Sequence, residues 1–312
     1  MVVSALRLGT RASPLAHAQA EQVRAALEAR HPGLRVELVF IRTTGDRLAR
    51  GPLAPVGGKG LFVKEIEEAL ASGAVDAGVH SMKDVPARLA AGMILAAVPA
   101  RADAQDVLVG HGEGGLAALP PGARVGTASV RRRAQLLARR RDVEVVGLRG
   151  NVDTRLRRWR EGTVDALVLA AAGLARLGIA EPWARTLPLD EFLPAVGQGA
   201  LALECRADDT ATRTVLAGIE DPVSATAVAA ERSFLVAIGG DCNTPLAAHA
   251  RVANGHVVLR ALVTDLDGHR WLEDEARAPV GEADAVGRGL AERLLAAGAR
   301  EILDQVRAGA GS

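Results

Sequence analysis

The sequence predicts an α/β protein: two related α/β domains facing each other across a cleft, plus a small C-terminal α+β domain with an antiparallel sheet. Three observations predict it. Val- and Leu-rich strands alternate with helical segments, which implies parallel or mixed sheets flanked by helices. One strand–helix–strand–strand series occurs twice in the same order. From about Asp221 the pattern changes to a long helix and then strands joined by tight turns. At 312 residues the chain is long for one core. The expected limits are 1–99 with 200–220 for the first domain, 100–199 for the second and 221–312 for the third.

Residues 6–10 read as a strand, and Ser13-Pro14 supplies an N-cap and a first-turn proline for a helix over 15–30. His31-Pro32-Gly33 ends it. A strand follows over 36–42. Beyond the glycine-rich loop Gly57-Gly58-Lys59-Gly60, residues 61–71 read as helix and 73–80 as strand. In the second series, 124–129 runs from a strand into a helix over 130–140, 143–149 matches 36–42, and 162–168 matches 73–79. Any α/β chain repeats valine-rich strands and glycine-rich turns, yet three matches in one order favour duplication. The connections are 98–103 and 193–199, and the second returns the chain to the first domain if 200–204 adds a strand there. In the third domain a helix over 225–238 leads through Gly239-Gly240-Asp241-Cys242 to strands over 248–252 and 256–264. Asn254-Gly255 between those strands is a strong hairpin signal. A turn at 265–268 leads to residues 269–272, and a final helix covers about 282–306.

Composition narrows the function. With no Tyr, four Phe and three Trp, the cores must be aliphatic, and stacking platforms for single-stranded nucleic acid are missing. Net charge is +1, so no global field points to nucleic acid or membrane. Cys205 and Cys242 lie outside any C-x-x-C pattern, which argues against a disulfide scaffold or a metal site and fits a reducing compartment. The first residues lack the apolar run of an export signal, and no stretch nears the ~20 apolar residues that span a bilayer. The expectation is a cytoplasmic protein with no metal, membrane or nucleic-acid partner.

Against that neutral background, residues 124–160 hold twelve arginines and three acids. The chain has 35 Arg but three Lys, at 59, 64 and 83. Gly9-Thr10-x-x-Ser13 and Gly126-Thr127-x-Ser129 each open a helix directly after a strand, where free N–H groups and the helix dipole favour anions. Arg11 in one, and Arg131 and Arg132 in the other, add forks matched to carboxylates. The plain alternative is an ordinary Ser cap with solvated arginines, but two such termini, both with Arg, favour anion binding. Arg139, Arg140 and Arg141 sit late in a helix and read as structural; Arg149 and Arg155 read as ligand-facing. His80-Ser81-Met82-Lys83-Asp84-Val85-Pro86 follows a strand at the edge where open α/β sheets bind ligands. Asp84 there could act as a general acid or stabilise a developing cation, with Lys83 adding a carboxylate contact; the plain alternative, which these residues by themselves favour, is a surface Lys-Asp loop. Cys205 ends an apolar strand and reads as a core residue. Cys242, among Gly239, Gly240 and Pro245, reads as an exposed thiol able to act as nucleophile or tether, with Asp241 raising its pKa.

Taken together, these segments resemble the hydroxymethylbilane synthase (porphobilinogen deaminase) family of tetrapyrrole biosynthesis. The resemblance rests on Gly9-Thr10-Arg11-x-Ser13, Lys59-Gly60-Leu61-Phe62-Val63-Lys64-Glu65, the segment from His80 to Pro86, Gly126-Thr127-Ala128-Ser129-Val130-Arg131-Arg132, Arg149-Gly150-Asn151-Val152-Asp153-Thr154-Arg155, Leu193-Pro194-Ala195-Val196-Gly197-Gln198-Gly199 and the Cys242 loop. It implies two periplasmic-binding-protein-like domains and a third that bears the cofactor. It implies a monomeric transferase that joins four porphobilinogen molecules head to tail, releases ammonia at each step, and frees hydroxymethylbilane by hydrolysis. The implied cofactor is dipyrromethane, held by a thioether at Cys242. Asp84 matches the catalytic aspartate. Lys83, Ser81, Thr127, Ser129, Arg131 and Arg132 match cofactor contacts; Arg11, Ser13, Arg149, Arg155 and Arg176 match substrate contacts. The chain departs from the family pattern at Asp241, where a small residue is more frequent, and at Ala128, where serine is. Residues 43–58 are expected to form a cover. The other readings are a non-catalytic two-lobed binder of small carboxylates and a nucleic-acid binder using 124–160.

Overall fold

The computed structural model describes residues 3–44, 63–110, 112, 114–241 and 243–309. The chain forms two compact units, Met1–Ala102 with Gly199–Ala225, and Asp103–Gln198 with Thr226–Ser312. Up to Ala102 it makes β1 (Ala5–Arg11), α1 (Pro14–Arg30), β2 (Arg35–Ile41), α2 (Lys64–Ala71), β3 (Ala77–Ser81) and β4 (Met93–Ala97). Then come β5 (Asp106–Gly110), β6 (Arg124–Gly126), α3 (Val130–Arg139), β7 (Glu144–Val146), α4 (Val152–Arg160), β8 (Ala166–Ala170), α5 (Ala171–Arg176) and β9 (Ala184–Leu187). After Gln198 follow β10 (Leu201–Arg206), α6 (Thr210–Ala217), α7 (Pro222–Ile238), β11 (Leu246–Ala253), β12 (His256–Thr264), β13 (Trp271–Pro279), α8 (Ala283–Leu294) and α9 (Arg300–Gly309).

The first unit holds a five-stranded sheet in the order β2-β1-β3-β10-β4, and the second a five-stranded sheet in the order β7-β6-β8-β5-β9. In the first, β1 runs parallel to β2 and β3, while β10 is antiparallel to β3 and β4. In the second, β6 runs parallel to β7 and β8, while β5 is antiparallel to β8 and β9. The two patterns are the same, as a duplication requires. The antiparallel strand of each sheet, β10 or β5, is the first strand after a crossing of the chain. Residues 200–204 therefore rejoin the first sheet as the sequence predicts. β4, β5 and β9 are additional strands that the sequence reading did not place.

The central strands β3 and β10 of the first sheet and β5 and β8 of the second are buried almost throughout and read as largely apolar runs, as expected for strands covered on both faces. Leu6, Leu8, Ala77, Val79, Leu201 and Leu203 pack under α1 residues Ala20, Val23 and Leu27 in the first unit. Leu108, Val125, Ala166 and Val168 pack with Leu136 and Phe192 in the second. The C-terminal sheet β11-β12-β13 is wholly antiparallel. Its hairpin turns at Asn254 and Gly255, with φ of 52° and 71°, the left-handed pair that Asn-Gly adopts most readily. This sheet belongs to the second unit. Leu193 packs on Ala247 and Leu262, and the Arg139 guanidinium lies 5.0 Å from the Trp271 ring centroid. The final helical stretch is broken rather than continuous: at Gly298, φ is 107° and a wider turn over Leu295–Ala299 separates α8 from α9.

Candidate active site

β1 runs directly into the start of α1. Ser13 caps that helix, its Oγ accepting from the Ala16 N–H at 3.2 Å, with Pro14 in the first turn. The buried Thr10 hydroxyl donates to the Ala16 carbonyl at 3.2 Å and ties the strand end to the helix. Arg11 is thereby fixed at the carboxyl edge of the sheet.

β3 ends beside it and turns at once into a single 3-10 turn, Met82–Asp84. Met82 and Val85 are both buried, and the Val85 N–H closes the turn on the Met82 carbonyl at 3.1 Å. Pro86 disfavours helix at Val85, which is extended at ψ 127°, so the turn stops there. With Met82 and Val85 pinned inward, Lys83 is half-buried and Asp84 exposed. Both line a cavity of about 80 Å³ together with Arg11, Ser13, Gln19, His80 and Ser81. Gln19, from α1, holds Ser81 through its Nε2 at 2.8 Å. The structure thus gathers Arg11, Ser13, Ser81, Lys83 and Asp84 in one place, although Arg11 and Asp84 are 73 positions apart.

The matching edge of the second unit is built differently. Ser129 caps α3, accepting from the Arg132 N–H at 3.4 Å, and Thr127 Oγ1 accepts from the Ser129 N–H at 3.1 Å. Arg131 and Arg132 are not forks projecting from the helix start: each is 5% exposed, and both converge on the wholly buried Asp106. Arg132 Nη2 donates to Asp106 Oδ1 at 2.7 Å and its Nη1 to the Val168 carbonyl at 3.0 Å. Arg131 Nη2 lies 2.8 Å from Oδ2 in an ion pair, and its Nη1 donates to the Leu193 carbonyl at 2.6 Å. Gln198 Nε2 donates to Asp106 Oδ1 at 2.8 Å. Burial alone would raise the Asp106 pKa. The charges of Arg131 and Arg132, aided by hydrogen bonds from Arg132 and Gln198, outweigh it and hold the carboxyl well below the usual range. Burial in turn lowers the Arg131 pKa, partly offset by Asp106. Two cations share one carboxylate here, so the cluster carries a surplus positive charge.

Arg155, at the start of α4, donates Nε to the Gly150 carbonyl at 2.8 Å. Gly150 has φ 120° and would bring a Cβ to 3.0 Å from Thr154, so only glycine fits between Arg149 and Arg155. Arg149 itself is exposed. Arg176 ends α5, where burial lowers its pKa. Arg140 is structural, as read: it forms two 2.8 Å bonds to Asp142 and caps the Leu119 carbonyl at 2.7 Å. Cys205 is buried, and burial pushes its thiol up to about 11, so it is unreactive. Cys242 and Lys59 lie outside the described residues, as do residues 45–58 of the expected cover. Asp241 is described. Its Oδ1 accepts from the Asn243 N–H at 3.0 Å and the Thr244 hydroxyl at 2.9 Å, so this departure from the family pattern ties down Asn243 and Thr244.

The sequence reading missed Gln19 and Asp106, and it quoted Gln198 in a motif without giving it a role. The signal for Asp106 was a lone acid opening the apolar run Val107-Leu108-Val109. No helix of the described residues is long and apolar enough to cross a membrane.

One carboxylate on a pinned turn beside Arg11 and Lys83 is the candidate reaction site of the first unit. The family model for the porphobilinogen deaminase dipyromethane cofactor binding domain matches residues 6–214, and that for the porphobilinogen deaminase C-terminal domain matches residues 225–296. The porphobilinogen deaminase of Syntrophotalea carbinolica is 54% identical over 303 residues, covering 97% of this chain and 96% of its own. Those of Geobacter sulfurreducens and Acidithiobacillus ferrooxidans are 48% and 51% identical, covering 98% and 97% of this chain and 96% and 98% of their own. The chain belongs to the porphobilinogen deaminase family, transferases of tetrapyrrole biosynthesis. Among solved structures, a methionine-bound nutrient binding protein from Burkholderia cenocepacia is similar at a TM-score of 0.43 and 15% identity, covering 74% of this chain and 95% of that one.

Proposed function

We propose that Asp84 is the reacting carboxylate in the head-to-tail joining of four porphobilinogen molecules, with ammonia leaving at each addition and hydroxymethylbilane freed at the end by hydrolysis. The observation that carries this reading is the cavity where Asp84 stands with Arg11, Ser13 and Lys83. Porphobilinogen brings an acetate and a propionate on a pyrrole ring. Arg11, Ser13, Arg149, Arg155 and Arg176 are assigned to those carboxylates. When the substrate's C–N bond breaks, the amine leaves as ammonia and positive charge spreads over the pyrrole. The Asp84 carboxyl offsets that charge without reorganising.

The donor set fits a dipyrromethane cofactor. Its carboxylates match the surplus charge on Arg131 and Arg132, which Asp106 only half neutralises. Lys83, Ser81, Thr127 and Ser129 supply further donors. When bound, the cofactor supplies a fixed carbon nucleophile and an anchor. Cys242 is assigned as its thioether attachment, because a thioether survives the hydrolysis that frees the product. A cytoplasmic monomer of three domains, 1–99 with 200–220, 100–199 and 221–312, completes the reading.

Intact-mass measurement tests it. Protein from a porphobilinogen-producing host should be heavier than its sequence by one dipyrrole and should colour with a pyrrole reagent. Cys242→Ser should remove both signals. An unmodified wild-type mass sinks the tether. Arg149 is exposed, so Arg149→Ala should leave stability within about 0.5 kcal/mol. It should lower kcat/KM roughly 10- to 100-fold through loss of a charged hydrogen bond worth about 1.5–3 kcal/mol. Unchanged kinetics would remove Arg149 from the site.

A further inference from the structure

Behind the cavity lies a buried titratable cluster that the reaction above does not use. His80 lines the cavity with Asp84, yet its side chain is only 2% exposed. Its Nε2 lies 2.9 Å from Oε2 of Glu204, whose side chain is wholly buried. Among the described residues neither His80 Nε2 nor either oxygen of Glu204 meets a partner in good hydrogen-bond geometry, so the two are held in close contact by packing and strand register. The pairing follows from strand register. Ala202 stands opposite His80 and Glu204 opposite Gly78, so His80 and Glu204 are diagonal neighbours on one sheet face. Gly78 makes room: a Cβ there would come within 3.0 Å of His80 Nε2 and 2.7 Å of Ile66.

Glu67, from α2, reaches the same cluster and accepts from the Ala90 N–H at 2.9 Å. Burial raises its pKa, the Ala90 N–H partly offsets this, and the charge of Glu204 raises it further. The charged groups facing His80 are therefore Glu204 from β10, Glu67 from α2, and Arg11, Lys83 and Asp84 around the cavity. α1 contributes only the neutral Gln19 and Ser13. Such a cluster is costly to bury, and apolar residues of similar volume would serve stability as well or better. A buried ionisable cluster at the wall of a reaction cavity is a candidate for function.

We propose that His80, oriented by Glu204, is a positioning residue for the chemistry at Asp84. Glu204 Oε2 stands 2.9 Å from Nε2 and so limits where the ring can sit. The ring is thereby fixed one residue ahead of Ser81 and four ahead of Asp84, and the pair's charge sets the field at the cavity wall. This inference rests on Asp84 being the reacting carboxylate.

Glu204→Gln and His80→Gln, purified with their cofactor, test it. Each should lower kcat roughly 10- to 100-fold, the scale of a small misplacement of catalytic groups, with KM within about twofold. The midpoint of the kcat–pH profile should move, with kcat counted per molecule of folded protein. The double variant should be no slower than either single one, because the two act as a unit. Unaltered kcat and pH profile in the folded variants would overturn the inference, as would a loss of activity matched by a loss of folded protein. A wild-type enzyme that releases no ammonia, or an Asp84→Asn variant as fast as wild type, would instead fell the assignment of Asp84.

Discussion

Asp84→Asn should keep the covalent dipyrrole mass and lose about 10²- to 10³-fold in ammonia release. The magnitude is that of removing one preorganised electrostatic contact from a developing charge, about 2.7–4 kcal/mol. The substitution preserves shape, and Asp84 is exposed at the end of a turn pinned by Met82 and Val85, so stability should change by no more than about 0.5 kcal/mol. What changes is charge. An amide offers a dipole where the cationic pyrrole needs an anion. Stopped-time ammonia assays and intact mass, run on one preparation, separate loading from turnover. A fully loaded variant with near-normal ammonia release would strip Asp84 of its role.

The parts of this site that were legible are those written in local sequence. Ser13 and Ser129 sit where a strand meets a helix, and both cap as Ser-x-x spacing predicts. The turn after His80 follows from a strand, a buried methionine and a proline within seven residues. The duplication was legible because each copy repeats the same local signals, and sheet order bears it out. What stayed hidden was long-range pairing. β5 is five residues long and follows a connection, so periodicity had too little length to register. Its first residue, Asp106, lies 26 positions from Arg132, and nothing local links them. Reading Arg131 and Arg132 from the helix start alone placed them outward. A guanidinium on a long stem goes where a buried carboxylate takes it. Glu204 likewise meets His80 only through the register of β10 on β3, which the chain sets after crossing to the second unit and back.

Asp106→Asn should destabilise the second unit by about 3–5 kcal/mol, the usual cost of removing one partner from a buried ion pair. Asp106 is the shared acceptor of Arg131, Arg132 and Gln198, and all three donors are buried with it. Asparagine keeps the volume but leaves two guanidiniums facing each other without a counter-charge. The pH dependence carries the same sign. The folded-state pKa of Asp106 is held down, so its contribution is fully present above the unfolded carboxylate value of about 3.9. That contribution drains away as the pH falls from there toward the lower folded-state value. Wild type should therefore lose stability steeply below about pH 4, whereas Asp106→Asn should start lower at pH 7 and fall less on acidification. Hydrogen exchange at the β8 amides, which pair with β5, reads the second unit directly. Equal protection in the variant and wild type would mean that Arg131 and Arg132 find their compensation elsewhere. Their surplus charge would then not be what selects a carboxylate-bearing cofactor.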